Sequence, residues 1–269
     1  MIPKVIHYCW FGGKAIPPEF MKNIDSWKKY LPDYEIVRWD ESIFDVHCNR
    51  YADGAFRARN YAYLSDYARF AILKKCGGIY FDTDVEVIRP LDDILEAGPF
   101  LGEQSRGRVA TGLGMAMEPE MEFLREMVEL YDGLKFSIVD ENENSVTVVQ
   151  HVTNLLIGHG YDPEKRMIQR VCGINIYPRE YFCPQEYRSG ELTITENTRT
   201  IHHFSESWMS PFERRMHQHV IALRKKHGQT RYVRFLEMLI HYRRRMSEKT
   251  FSSMVKTVFK KIFRIRKKQ

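Results

Sequence analysis

The chain has 269 residues, 43% hydrophobic, 28% charged and 13% aromatic, a balance that excludes a disordered or fibrous protein and suits one core of ordinary size. No stretch approaches the roughly 18 uninterrupted apolar residues of a membrane span, and the opening Met1-Ile2-Pro3-Lys4-Val5 starts no long apolar run of the secretory kind. A net charge of +6 hides an asymmetry: residues 211–269 hold 18 basic against 3 acidic side chains, while the other 210 residues carry an excess of acids. A slightly acidic body with a strongly basic tail points to a catalytic domain with an electrostatic anchor. The five cysteines (Cys9, Cys48, Cys76, Cys172, Cys183) are scattered and form no C-x-x-C pair, so they read as reduced core thiols of a cytosolic protein.

In chain order, Lys4 to Phe11 is a β-rich run closed by Gly12-Gly13, and its position suggests a central strand. After Pro17-Pro18, a helix start, Phe20, Ile24, Trp27 and Leu31 recur at helical spacing until Pro32. Tyr34 to Asp40 then reads as a second strand, giving β-α-β. A helix is expected from about Asn60 to Cys76, ended by Gly77-Gly78 in a left-handed cap, and it leads into the short apolar strand Ile79-Tyr80-Phe81. Leu124, Met127, Val128, Tyr131 and Leu134 mark another amphipathic helix, whereas Val146 to Ile157 is apolar without a clear period. Alternating helices and short apolar strands predict an α/β domain with a mostly parallel central sheet over 1–210, followed by a basic helical C-terminal extension over 211–269.

The strand Ile79-Tyr80-Phe81 delivers two carboxylates, Asp82 and Asp84, where ligands bind in such sheets, beyond the carboxyl ends of the strands. A D-x-D pair is suited to hold Mn²⁺ or Mg²⁺ on a diphosphate, since hard oxygen ligands suit both ions; the alternative is two acids that open a turn. Asp66 and Arg69 lie three apart on the preceding helix and so share a face. They fit sugar hydroxyls or phosphate, or else form a surface ion pair worth a few tenths of a kcal/mol. Thr111-Gly112-Leu113-Gly114 and Gln150-His151-Val152-Thr153 are weaker candidates for the acceptor side.

The segments Ile2 to Gly13, Ser65-Asp66-Tyr67-Ala68-Arg69, Gly77 to Asp84 and Ser207-Trp208 resemble, in this order, the motifs of the DXD-containing sugar transferases, glycosyltransferase family 32. That family includes yeast-type α-mannosyltransferases and bacterial capsule and lipopolysaccharide enzymes, and is related to clostridial toxin glucosyltransferases. The resemblance implies a GT-A nucleotide-sugar fold and retention of anomeric configuration. It implies that Trp10 stacks on the nucleobase, Asp66 and Arg69 bind donor-sugar hydroxyls, Asp82 binds ribose and sugar beside the metal, and Asp84 binds the metal directly. It also implies that Ser207 and Trp208 touch the diphosphate and that His203, five before Trp208, is a further metal ligand. The toxin relatives use an acid at that point, and adjacent His202 keeps the choice of ligand open. The expected donor is a UDP-sugar, and the expected acceptor a cell-surface, capsular or lipopolysaccharide glycan, free or lipid-linked.

From Phe251, the apolar residues Met254, Val255, Val258, Phe259, Ile262 and Phe263 keep a single helical stripe, with Lys256, Lys260, Lys261, Arg264, Arg266, Lys267 and Lys268 around it. Such a helix is expected to lie on an anionic membrane surface, which would hold the protein on the inner face of the membrane; no nucleic-acid partner is expected. Two rival readings remain at this level. One is a phosphatase of the haloacid dehalogenase type, with Asp82 as nucleophile and Asp84 as acid/base. The other is a non-enzymatic module for anionic surfaces.

Overall fold

The computed structural model describes residues 1–136, 146–187, 189–205, 211–228 and 230–244. The chain divides into two compact units, Met1–Glu186 with Glu191–Trp208, and Tyr187–Gly190 with Met209–Gln269.

The first unit opens with β1 (Val5–Cys9), α1 (Pro18–Tyr30) and β2 (Glu35–Trp39). Pro18 opens α1, and Ile24 and Trp27 turn its apolar face inward. Then come α2 (Arg50–Arg57), α3 (Tyr61–Cys76), β3 (Gly78–Tyr80), β4 (Val85–Val87) and α4 (Asp92–Glu96). Helix α3 ends as the sequence predicts: Gly77 takes φ 62°, and its N–H donates to the Leu73 carbonyl. A hairpin of β5 (Phe100–Ser105) and β6 (Arg108–Ala110) precedes β7 (Met115–Met117) and α5 (Glu122–Asp132). Helix α6 (Val148–Gly158), β8 (Gln169–Val171), β9 (Ile174–Tyr177) and β10 (Thr200–His202) complete this unit. The apolar segment of unclear period is thus helical, capped by Thr147, whose side chain accepts from the Gln150 N–H.

Seven strands lie in the order β2-β1-β3-β7-β5-β9-β8, with β6 on β5. β1 pairs in parallel with both β2 and β3, β7 is antiparallel to β3 and β5, and β9 is parallel to β5. β1, β2, β3, β5 and β9 therefore run the same way, so the sheet is mostly parallel, and β1 is an interior strand as expected. Alternate strand residues face opposite sides: Tyr80, Leu101 and Met115 join one core with α2, α3, α5 and α6, while Ile79, Phe81 and Phe100 join the other with α1 and α4. The antiparallel pair β10–β4 stands apart from the large sheet.

The second unit contains α7 (Pro211–His227) and α8 (Arg231–Arg244), packed around Val220, Val233 and Leu236. No helix among the described residues is long and apolar enough to cross a membrane. The apolar stripe of 251–263 lies outside the described residues. The cysteines depart from expectation: all five are unpaired, but only Cys9 and Cys183 are buried, and Cys48 is exposed.

Candidate active site

Strand β3 ends at Tyr80, and the chain leaves the sheet through Phe81 into Asp82-Thr83-Asp84 before β4 begins. Helix α1 holds this segment through three hydrogen bonds. The Asn23 side-chain amide donates to the Thr83 carbonyl at 2.9 Å, the Trp27 indole N–H to the Val85 carbonyl at 2.8 Å, and the Ser26 hydroxyl accepts from the Val87 N–H at 2.9 Å. Trp27 has no exposed surface, so the D-x-D segment is braced by core packing as well as by these bonds.

Asp82 sits in a network built from three parts of the chain. Its Oδ1 accepts from Arg69 Nη2 and from the Tyr80 hydroxyl, both at 3.1 Å. Its N–H donates to the Gly112 carbonyl at 3.1 Å. A Cβ on Gly112 would fall 1.8 Å from Asp82 Oδ2, so the β6–β7 turn needs glycine there to let the carboxylate in. Arg69 also reaches Asp66 at 2.9 Å and the Thr111 hydroxyl at 2.9 Å, and its side chain is 5% exposed. The Asp66–Arg69 pair is thus interior, not the surface ion pair that spacing alone allows. Burial works against the charge of Arg69, but Asp82, Tyr80 and Asp66 outweigh it and keep the guanidinium charged. Burial pushes the Asp66 carboxyl up to about 7, against the pull of Arg69.

Asp84 is buried, with Oδ1 3.2 Å from His202 Nε2 and Oδ2 accepting from the Ser205 N–H at 2.8 Å. Burial alone would raise this carboxyl; the His202 imidazole and the Ser205 N–H prevail and hold it well below the usual range. The same pairing raises His202, against its own burial.

Strand β10 delivers His202 by lying antiparallel to β4, with His202 opposite Val85. Ligand-type atoms of Asp82, Asp84 and His202 lie within 4.8 Å of one another. Of the two histidines that the sequence leaves open, His203 lies outside this group: its Nε2 is 2.9 Å from Glu86 on the exposed side. His202 is the last residue of β10 and meets Asp84 in the turn that precedes β4, whereas His203 lies past the strand end, its N–H on the Asp84 carbonyl and its ring toward Glu86.

Trp10 lies just beyond the carboxyl end of β1, half-buried, with its indole N–H on the Lys14 carbonyl at 2.7 Å and its ring edge-on to Phe20. It follows the strand beside β3 but is not part of the network around Asp82. Ser207 and Trp208 lie outside the described residues. Gln150 to Thr153 falls on α6, where the Thr153 hydroxyl binds the Val109 N–H and the Val149 carbonyl as a structural tie. Sequence reasoning assigned no role to Tyr80 and placed the Thr111-Gly112-Leu113-Gly114 run on the acceptor side, whereas Thr111 binds Arg69 and Gly112 makes room for Asp82.

Residues 17–101 match the family model described as a glycosyltransferase sugar-binding region containing a DXD motif. The matched segment holds Asp66, Arg69, Asp82 and Asp84. The chain is 38% identical over 98 residues to inositol phosphoceramide mannosyltransferase 3 of Schizosaccharomyces pombe, covering 35% of this chain and 27% of that protein. It is 35% identical over 106 residues to the uncharacterized glycosyltransferase L373 of Acanthamoeba polyphaga mimivirus, covering 37% of this chain and 42% of that protein. The chain thus spans less than half the length of these curated relatives. A solved structure, the PaToxG glycosyltransferase, is similar at TM-score 0.44 and 18% identity over 57% of this chain and 67% of that one.

Proposed function

We propose that the protein is a metal-dependent, retaining glycosyltransferase of GT-A type that moves a sugar from a nucleoside-diphosphate donor, a UDP-sugar, to a lipid-linked or cell-surface glycan of the capsular or lipopolysaccharide kind. The observation that carries this reading is the convergence of Asp82, Asp84 and His202 at a strand end, beside the Asp66–Arg69 pair. Two carboxylates and an imidazole suit Mn²⁺, and the buried His202 Nδ1, which has no hydrogen-bond partner among the described residues, marks an imidazole whose surroundings are incomplete. A relative named for mannosylating inositol phosphoceramide supports an acceptor with a lipid part.

The divalent ion, when bound, neutralises the negative charge that develops on the departing diphosphate. Asp82, Asp84 and His202 would hold it. Arg69, locked by Asp66, Asp82 and Thr111, keeps its charge and orientation without reorganising, which is what a group opposing developing charge requires. Asp66 and Asp82 offer acceptor oxygens to donor hydroxyls and so orient the sugar. Trp10 at the end of β1 stacks on the base, and Ser207 and Trp208 bind the diphosphate in the same proposal. Residues 1–210 form the catalytic domain, and 211–269 the basic extension that holds it on the inner face of the membrane.

The test is a donor-hydrolysis screen with UDP-, GDP- and other nucleotide sugars in Mn²⁺, Mg²⁺ or chelator. Metal-dependent release of one nucleotide is expected, with Asp84→Asn lowering turnover on the order of a hundredfold to a thousandfold while circular dichroism is unchanged. Hydrolysis of a generic phosphomonoester, with every nucleotide sugar left intact, would instead make Asp82 a nucleophile and overturn the transferase reading.

A further inference from the structure

Residues 159–168 link α6 to β8 and expose two large apolar side chains in succession, Met167 at 65% and Ile168 at 42%. This loop is built to hold them out. Its base is closed by the Gln169 side chain, whose Oε1 accepts from the Asp162 N–H at 3.0 Å while its Nε2 donates to the Asp162 carbonyl at 2.8 Å. The Tyr161 hydroxyl is anchored on the buried Glu103. The loop also packs on the tip of the β5–β6 hairpin: a Cβ on Gly107 would fall 2.7 Å from Pro163 Cβ, and Arg106 binds Glu164 at 2.7 Å.

The charge of the loop and hairpin tip is net positive, although Arg106 and Arg166 pair with Glu164 and Lys165 with Asp162. Arg106 and Arg108 on the hairpin and Lys165, Arg166 and Arg170 in or beside the loop are all exposed, against Asp162 and Glu164. An exposed apolar pair on a surface of net positive charge matches an anionic lipid surface, into whose headgroup layer the apolar pair inserts while the basic groups meet lipid phosphates.

The topology adds direction. β5 runs the same way as β3, because both are antiparallel to β7, so the Arg106-Gly107 tip lies on the sheet edge where Asp82 emerges. β9 is parallel to β5, and β8 is antiparallel to β9 with Gln169 opposite Ile176, so the loop entering β8 lies on that edge too. β5 is two strands from β3, about 10 Å across the sheet.

We propose that the 162–168 loop and the β5–β6 tip form a docking surface for anionic phospholipid membrane, which turns the D-x-D edge of the sheet toward the bilayer. This surface belongs to the body of the protein and is separate from the basic tail. It stands independently of the transfer reaction.

The experiment uses the full chain, tail included, in sedimentation with phosphatidylglycerol–phosphatidylcholine vesicles and with phosphatidylcholine alone. Both substituted side chains are exposed, so Met167→Ser/Ile168→Ser is expected to keep its thermal midpoint and donor hydrolysis but to partition about tenfold less onto the anionic vesicles. In Met167→Trp, the added indole is expected to be quenched by lipids brominated along the acyl chain, beyond the quenching seen in the parent chain. Unchanged partition of the double variant, or no added quenching, overturns the proposal. If the loop instead covers a second copy of the chain, the parent sediments as a dimer that the double variant dissolves with vesicle partition unaltered, and the proposal equally falls. Donor hydrolysis is read separately, so failure of the membrane surface and failure of the transferase reading give different results.

Discussion

His202 and His203 are chemically identical neighbours with opposite fates, one facing Asp84 and the other Glu86. Replacing His202 by alanine is expected to weaken Mn²⁺ affinity at least about tenfold, whereas His203→Ala leaves it near that of the parent. Titration of free Mn²⁺ by electron paramagnetic resonance checks this without relying on turnover. His7 on β1 is a different kind of histidine. It is 2% exposed, with Nε2 3.0 Å from the Gly77 carbonyl and Nδ1 accepting from the Trp39 indole at 3.0 Å, so both ring nitrogens are used by the neutral form. Burial lowers it from 6.5 to about 4. The unfolded chain therefore takes up the proton first, and stability is full above pH 6.5 and falls as the pH drops toward 4. The loss is up to about 3 kcal/mol, read as a drop in denaturant midpoint between pH 7 and pH 4 that His7→Gln flattens.

At the scale of elements, the candidate site is assembled by short connections rather than by long helices. α3 supplies Asp66 and Arg69, the end of β3 supplies Asp82, and the β6–β7 turn closes over both through Thr111 and Gly112. The turn matters by what it lacks. Gly112→Ala places a methyl group against Asp82 Oδ2 and must displace the carboxylate or the turn, at about 1–3 kcal/mol of overpacking. Turnover is expected to fall on the order of a hundredfold while the thermal transition stays cooperative, because the strain is confined to the segment that orients Asp82. Paired measurement of thermal midpoint and kcat separates this from general destabilisation. The spacing of Asp66 and Arg69 was legible in the sequence because a helix makes neighbours of residues three apart. The contact of Gly112 with Asp82 was not, since it depends on β7 pairing with β3 across the 34 residues between Tyr80 and Met115.

For the whole molecule, the charge asymmetry is the dominant feature: the 18 basic residues of 211–269 contrast with an acidic remainder. Deleting residues 250–269 is expected to lower binding to anionic vesicles while sparing donor hydrolysis, each lost Lys or Arg contributing about 1 kcal/mol near such a surface. Unchanged vesicle binding of the truncated chain would remove the tail from the membrane proposal. Raising salt from 0.1 M to 1 M shortens the screening length from about 10 Å to about 3 Å, so vesicle binding should weaken with salt in the parent chain.

The opening β-α-β order, the glycine-capped helix and the apolar strand ending in Asp82 and Asp84 were all readable along the chain. Hydrophobic period, turn residues and helical spacing are local quantities, and they act through neighbours in sequence. The β5–β6 hairpin and the strands β7, β8 and β9 escaped that reading, because strands of three to six residues are too short to show a period. Tertiary structure alone decided which histidine meets Asp84, why Gly112 has no side chain, and which loops share the edge with the acidic pair. Each of these follows from strand pairing and from the turns that bring distant residues together, which the spacing of residues along the chain does not encode.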